Sequence, residues 1–305
     1  MRQPSKKPAN RFCERFVQKN HAFERAKGLY NSRLPRDDRA GRKGLIERMG
    51  HPLLDLKDKT AVVIGGTRGI GLALSKGLAQ AGANVVPTGR RADHVRAAAA
   101  AIREIGPRSL EVTCDVMEKA SLEALLGDVR KEFGSVQILV NCAGRTKRLP
   151  TIDFPEDEWN AIIETNLNGT ARACQIFGRH MIEQRYGRII NIGSLSSFVG
   201  LYEVAAYCAS KGAVGTLTKA LAVEWAKHGV CVNALIPGVL RTDMNTKLLE
   251  GPRGQEFLMR TPMGRFGKLD ELAGATVFLA SDAASFVTGH LLVVDGGILA
   301  SGVNQ

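Results

Sequence analysis

From Thr60 onward, short β-branched apolar runs alternate with longer amphipathic or alanine-rich stretches. The candidate strands are Ala61–Ile64, Asn84–Pro87, Leu110–Cys114, Ile138–Asn141, Arg188–Ile192, Val230–Ile236 and Leu291–Val294, most of them nearly continuous in apolar character. Continuity, as opposed to a polar residue at every second place, marks strands buried on both faces. Between them lie helical patterns near Ile70–Ala81, Ala92–Ile105, Lys119–Phe133, Glu156–Arg185, Tyr207–His228 and Asp270–Ser281. This alternation predicts an α/β domain: one doubly wound parallel sheet of about seven strands with helices on both faces, spanning residues 52–305. No repeat or low-complexity segment interrupts it.

Composition narrows the class. With 44% hydrophobic and 24% charged residues in 305, the chain is expected to be globular, not disordered. No uninterrupted apolar run exceeds six residues, whereas a membrane span needs roughly 20, so no membrane partner is expected. Residues 1–20 are polar and basic and lack the apolar core of a secretory signal; a cytoplasmic location is expected. The six cysteines are too far apart for a C-x-x-C motif and no H-x-x-x-H pair occurs, so reduced thiols and a metal-free site are expected.

A net charge of +12 suggests a polyanionic partner until its distribution is considered. Residues 1–50 hold 14 Lys and Arg against 5 Asp and Glu, a net +9 that leaves only +3 for the rest. The charge belongs to an appendage and not to a domain face, so nucleic-acid binding is not the expected function. Residues 1–51 read as a basic, disordered N-terminal extension. A transit peptide and a physiological start at Met49 are the alternatives.

Val63-Ile64-Gly65-Gly66-Thr67-Arg68-Gly69-Ile70-Gly71 follows the first strand and opens the first helix. Glycines there permit a tight turn and let backbone N–H groups approach a pyrophosphate at a helix N-terminus. The spacing G-x-x-x-G-x-G resembles that of the short-chain dehydrogenase/reductase family, which implies a Rossmann-type sheet and a nicotinamide cofactor. Ile64 stands where that family usually has Thr, removing a side-chain hydrogen bond within the turn. After the second strand comes Thr88-Gly89-Arg90-Arg91, with glycine where NAD-dependent relatives carry Asp. Guanidinium groups suit a 2′-phosphate, so Arg90, Arg91 and Arg68 favour NADP(H), with NAD(H) the alternative. By resemblance, Asp115 and Val116 contact adenine, and Asn141-Cys142-Ala143-Gly144 matches the family's N-N-A-G motif with Cys for the second Asn.

Tyr207 and Lys211, four residues apart, share a helix face. Ser194 closes the fifth predicted strand and Asn166 lies in the preceding long helix. Asn166, Ser194, Tyr207 and Lys211 together match the family's catalytic tetrad. A phenol with an ordinary pKa near 10 is a poor acid or base at neutral pH, and an adjacent ammonium is expected to bring it down. The resemblance further implies that Lys211 binds the nicotinamide ribose, Ser194 hydrogen-bonds the reacting oxygen, and Asn166 holds a water in a proton relay. Pro237, Gly238 and Thr242, in a P-G-x-x-x-T element, are expected at the nicotinamide. The poorly periodic stretch 243–267 suits a substrate lid.

The implied reaction interconverts a secondary alcohol and a ketone. His51-Pro-Leu-Leu-Asp-Leu, the Arg148-Leu-Pro segment, Ala222-Val-Glu-Trp-Ala and Asp295-Gly-Gly-Ile-Leu-Ala resemble the gluconate 5-dehydrogenase-like branch of the family, which implies a sugar acid or sugar as substrate. Arg145, Lys147 and Arg148 could form a cationic rim for a carboxylate, with Arg148 the candidate substrate contact. A 3-oxoacyl-thioester reductase and a catalytically silent dinucleotide sensor or scaffold are the alternatives. The resemblance also implies a homo-oligomer, dimer or tetramer, packed through the two long helices.

Overall fold

The computed structural model describes residues 51–242 and 245–302. The basic leader, the alternative start at Met49, Cys13, the first two residues of the expected lid (Asp243 and Met244) and the last three of the expected domain lie outside the described residues.

Strands β1 (Thr60–Ile64), β2 (Asn84–Thr88), β3 (Ile138–Asn141), β4 (Gly187–Ile192), β5 (Val230–Pro237) and β6 (Leu291–Val294) form one all-parallel sheet in the order β2-β1-β3-β4-β5-β6. The helices are α1 (Gly69–Gln80), α2 (Ala92–Ile105), α3 (Lys119–Phe133), α4 (Glu156–Ile163), α5 (Gly169–Glu183), α6 (Ala205–Trp225), α7 (Thr246–Glu250), α8 (Pro252–Arg260) and α9 (Ala273–Ala280). Alternate strand residues feed two cores. Val62, Ile64, Leu139, Ile189 and Val232 pack with α3, α5 and α6 through Leu122, Leu125, Phe177, Met181 and Leu221. Ala61, Val63, Ile138, Val140 and Ile190 pack with α1, α2 and α9 through Leu74, Leu78, Ile102 and Leu279. The strands read as continuous apolar runs because successive side chains enter different cores.

Six strands replace the expected seven because Leu110–Cys114 forms no ladder. The segment does run beside β2: Val85 N donates to Arg108 O at one end and Cys114 N to Gly89 O at the other. The outward donor between them belongs to Pro87, which has no N–H. The Thr88 hydroxyl bridges the gap to Val112 O at 2.6 Å, so a side-chain hydrogen bond stands in for a ladder rung.

The expected helix Glu156–Arg185 is helical throughout 156–183 but not α-helical throughout. A π-helical turn, Glu164–Asn168, separates α4 from α5. Such wide turns insert an extra residue into the helical ladder and recur at functional sites; here the inserted turn carries Asn166, which is fully buried. In the expected lid, α7 and α8 add helix that periodicity did not reveal, α8 opening with Pro252 at its first turn, where a missing N–H costs nothing.

Candidate active site

In a parallel sheet the carboxyl ends of all strands lie on one edge, and the loops that leave β1 to β5 converge there. Gly65 has φ +81°, and a Cβ on it would come within 2.6 Å of Ala143 N, so the exits of β1 and β3 touch through a residue that must be glycine. Gly69 has φ +52° and faces open space, with nothing within 4 Å of a Cβ built there. The N–H groups of Gly69, Ile70 and Gly71 in the first turn of α1 have no acceptor within the helix and favour an anion. The hydrogen bond that Ile64 cannot make is replaced: Gly65 N and Gly66 N both donate to Thr88 O, at 2.9 and 3.1 Å.

At the end of β2, Thr67 packs against Gly89. Arg91 shares a 2.7 Å hydrogen bond with His94, whereas Arg68 and Arg90 are exposed and have no hydrogen-bond or ion-pair partner among the described residues. Asp115 closes its own turn, Oδ1 accepting from Met117 N at 3.0 Å, and Val116 is buried against Gly169. Pro237 ends β5, and Gly238 lies so close to Asp295 that no side chain fits. A cleft of about 400 Å³ has Gly69 on one wall and Thr242 and Thr246 on the other, with Lys76 and Arg241 also lining it. An open helix N-terminus, side-chain-free approaches and unpaired arginines beside Gly89 together fit a phosphorylated dinucleotide.

Asn141 differs from its expected place at the cofactor. Its side chain is buried between strands and helices, Nδ2 donating to Asn191 Oδ1 at 2.9 Å, and Asn191 Nδ2 in turn to the Thr218 hydroxyl. It braces the sheet and does not line the cleft; Ala143 and Gly144 do the approaching.

Asn166, Ser194, Tyr207 and Lys211 are brought together from a π turn, a strand exit and α6. Ser194 caps a short 3-10 turn, accepting from Ser196 N at 3.2 Å, and its hydroxyl lies near enough to the Tyr207 phenol to act on its ionisation. Lys211 is 5% exposed, donates to Ile192 O at 2.6 Å, and has its ammonium 5.8 Å from the centre of the Tyr207 ring. Burial brings the Lys211 pKa down to about 8, opposed by the neighbouring Cys142. The Tyr207 pKa moves opposite to the sequence expectation. Burial raises it, the Ser194 hydrogen bond opposes, and Cys142 and Cys208 add to the rise. Desolvation of the phenolate outweighs an ammonium that is directed at a carbonyl.

The Asn166 amide is held on both sides, with one lone pair of Oδ1 to spare: Oδ1 accepts from Arg145 N at 2.8 Å, while Nδ2 donates to Arg145 O at 2.9 Å and to the Ser210 hydroxyl at 3.0 Å. A Cβ on Gly144 would lie 3.4 Å from Asn166 Oδ1 and 3.8 Å from Lys211 Nζ, so the space between those two groups exists because residue 144 has no side chain. The expected cationic rim is paired: Arg145 and Lys147 with Glu158, and Arg148 Nε with Glu203 at 2.7 Å. Ser197 was not singled out from the sequence, yet its hydroxyl accepts from Ser194 N and donates to Lys211 O. The signal was legible as S-x-x-S, a reciprocal cap on a short turn. Among the described residues no group of three or more His, Cys, Asp or Glu could hold a metal, and every cysteine is free.

A half-buried phenol and a buried amine, reached from the glycine-rich exits of β1 and β3, are the arrangement of a dinucleotide-linked oxidoreductase. A family model described as enoyl-(acyl carrier protein) reductase matches residues 65–299, and the chain belongs to the short-chain dehydrogenase/reductase family. It is 40% identical over 255 residues to the gluconate 5-dehydrogenase of Gluconobacter oxydans, covering 83% of this chain and 100% of that protein. To the 5-keto-D-gluconate 5-reductase of Escherichia coli it is 38% identical, covering 81% and 98%. The structure of a gluconate 5-dehydrogenase from Burkholderia cenocepacia, in complex with NADP and tartrate, superposes with a TM-score of 0.79 at 39% identity, over 82% of this chain and 98% of that one. These relatives span the whole oxidoreductase domain and do not favour the thioester-reductase alternative.

Proposed function

We propose that the protein is an NADP(H)-preferring dehydrogenase/reductase that interconverts a secondary alcohol and a ketone on a sugar acid, in the manner of a gluconate 5-dehydrogenase. The observation that carries the reading is the juxtaposition of the half-buried Ser194 and Tyr207 with the buried Lys211 at the exit of β4 and on α6. The relatives' substrates supply the sugar acid, and the NADP in the Burkholderia structure supports the cofactor.

The nicotinamide, when bound, supplies or takes up the hydride. Tyr207 gives its phenolic proton to the developing alkoxide in reduction and takes it back in oxidation. Ser194, beside the phenol, holds the same substrate oxygen within reach. Lys211, with a pKa near neutrality, exchanges a proton readily and holds the ribose. Asn166 and the space at Gly144 shape the relay between Lys211 and solvent. Arg90 and Arg68 receive the 2′-phosphate, and Arg148 the substrate carboxylate.

Among the described residues no helix is long and apolar enough to cross a membrane. We propose a cytoplasmic homo-oligomer, a dimer or tetramer packed through α5 and α6, with residues 1–51 as an accessory extension. Side-by-side assays of 5-keto-D-gluconate and an acetoacetyl thioester with NADPH and NADH test the reading. Preferential NADPH-dependent reduction of the sugar acid is expected, and Tyr207→Phe is expected to lower kcat at least a hundredfold. Exclusive turnover of the thioester, or full activity of Tyr207→Phe, overturns it.

A further inference from the structure

The loop after β3 is fixed at two points. At its start, the Asn166 amide holds both backbone groups of Arg145. Further on, Leu149 N donates to Glu203 O at 3.0 Å while Arg148 Nε donates to the Glu203 carboxylate at 2.7 Å. Glu203 therefore grips this loop with both its backbone and its side chain.

Glu203 itself has φ +62°, in the left-handed region that non-glycine residues adopt at a cost. Glycine would relieve that strain but would carry no carboxylate. The Glu203 side chain is 20% exposed and that of Arg148 is 47% exposed, so the carboxylate is shielded while the guanidinium reaches water. Next to it, Tyr202 O accepts from Arg253 Nη1 of α8 at 3.2 Å, and Tyr207 follows four residues later on α6. The Glu203 turn thus joins the β3 loop, α8 and the helix that carries the phenol.

Only Nε of Arg148 is bonded. Its Nη1 and Nη2 have no protein partner among the described residues, and those two atoms form the outer edge of the guanidinium fork. The other two cations of this loop, Arg145 and Lys147, share Glu158. Among the described residues, Arg148 is the one cation of this loop whose carboxylate partner is shared with no other cation.

We propose that Glu203 is a positioning residue that orients Arg148, so that the free edge of the guanidinium receives the substrate's carboxylate. This rests on the sugar-acid reading above and adds to it the determinant that separates acid from neutral substrates. Losing the anchor frees a long side chain that must then be ordered again when the carboxylate binds. The opposing effect, relief of repulsion between two carboxylates across a solvated rim, is weaker because water screens it.

The test uses the full chain and two readouts. Steady-state reduction of 5-keto-D-gluconate with NADPH is compared for wild type, Glu203→Gln, Glu203→Asp, Arg148→Ala and the Arg148→Ala/Glu203→Gln double variant. Calorimetry then measures 5-keto-D-gluconate binding to the NADP⁺ complex, where no hydride can pass. Glu203→Gln is expected to raise KM and Kd for the acid about tenfold, with kcat and the KM for NADPH within twofold. Glu203→Asp is expected to recover part of the loss, and Glu203→Gln to add nothing once Arg148 is Ala. An unchanged or lowered KM in Glu203→Gln, an equal effect in the Arg148→Ala background, or a loss confined to kcat overturns the proposal while the sugar-acid reading stands. If wild type neither turns over nor binds the acid, that reading falls and this proposal falls with it.

Discussion

Lys211 directs its ammonium at the carbonyl of Ile192, 2.6 Å away, while lying 5.8 Å from the ring of Tyr207 one helical turn before it. A buried ammonium with one carbonyl acceptor is poorly compensated, and its pKa falls from 10.5 to about 8.

Stability is expected to follow from that shift. Between pH 8 and 10.5 the unfolded chain holds the Lys211 proton and the folded chain has released it, so stability rises with pH across this window. Below pH 8 the cost of burying the charge is fully present. The slope per proton is at most about 1.4 kcal/mol per pH unit. Urea unfolding at pH 7.5, 8.5 and 9.5 should show wild type gaining on Lys211→Met as pH rises. Tyr207, whose pKa is raised from 10.0, works in the opposite sense only above pH 10. A flat difference between wild type and the variant contradicts the shift.

Cofactor choice is expected to reside in Arg68 and Arg90, the unpaired arginines, more than in Arg91, which His94 engages. Arg90→Ala and Arg68→Ala should each raise KM for NADPH about tenfold and leave KM for NADH within twofold. Arg91→Ala should change either value less than threefold. A Cβ at Gly89 meets Thr67 at an ordinary 3.4 Å, so Gly89→Asp is sterically tolerated and should turn preference toward NADH by placing a carboxylate where a 2′-phosphate would sit. A wild-type kcat/KM at least tenfold higher with NADH than with NADPH defeats the assignment.

The sheet was legible from the sequence because strands buried on both faces leave continuous apolar runs, and β1, β3 and β4 are wholly buried. Leu110–Cys114 carried a weaker signature, with Glu111 and Thr113 between its apolar residues, and the missing N–H of Pro87 on the neighbouring strand removes a rung that would have joined it to the ladder. The tetrad was legible as residue types in order, but its electrostatics were not: whether Lys211 faces a phenol or a carbonyl is decided by packing between α6 and β4. The π turn at Asn166 and the ion pair to Glu203 have no periodic signature, since both depend on contacts between loops distant in sequence.

Asn141 is expected to matter for stability and not for cofactor affinity. Asn141→Ala removes the amide donor to Asn191 Oδ1 and leaves that buried oxygen only the weak thiol donor of Cys174, at a cost of about 1 kcal/mol. Chemical denaturation should show this loss, while the Kd for NADPH of the folded variant, measured by fluorescence, stays within threefold. A large change in Kd with unaltered stability returns Asn141 to the cofactor site.

Gly144 offers the sharpest probe of the space between Asn166 and Lys211. An alanine methyl there would sit 3.4 Å from Asn166 Oδ1 and 3.8 Å from Lys211 Nζ, a fit that strains neither group. Gly144 is absent from the positive-φ positions, so the backbone also accepts the substitution. Gly144→Ala should therefore fold with a Tm within a few degrees of wild type. What it removes is room for a water between the two side chains. If protons reach Lys211 through that water, kcat should fall about tenfold or more, with a larger solvent deuterium isotope effect as proton transfer becomes limiting. An unaltered kcat would mean that the proton travels by another route and that the gap at Gly144 serves packing alone.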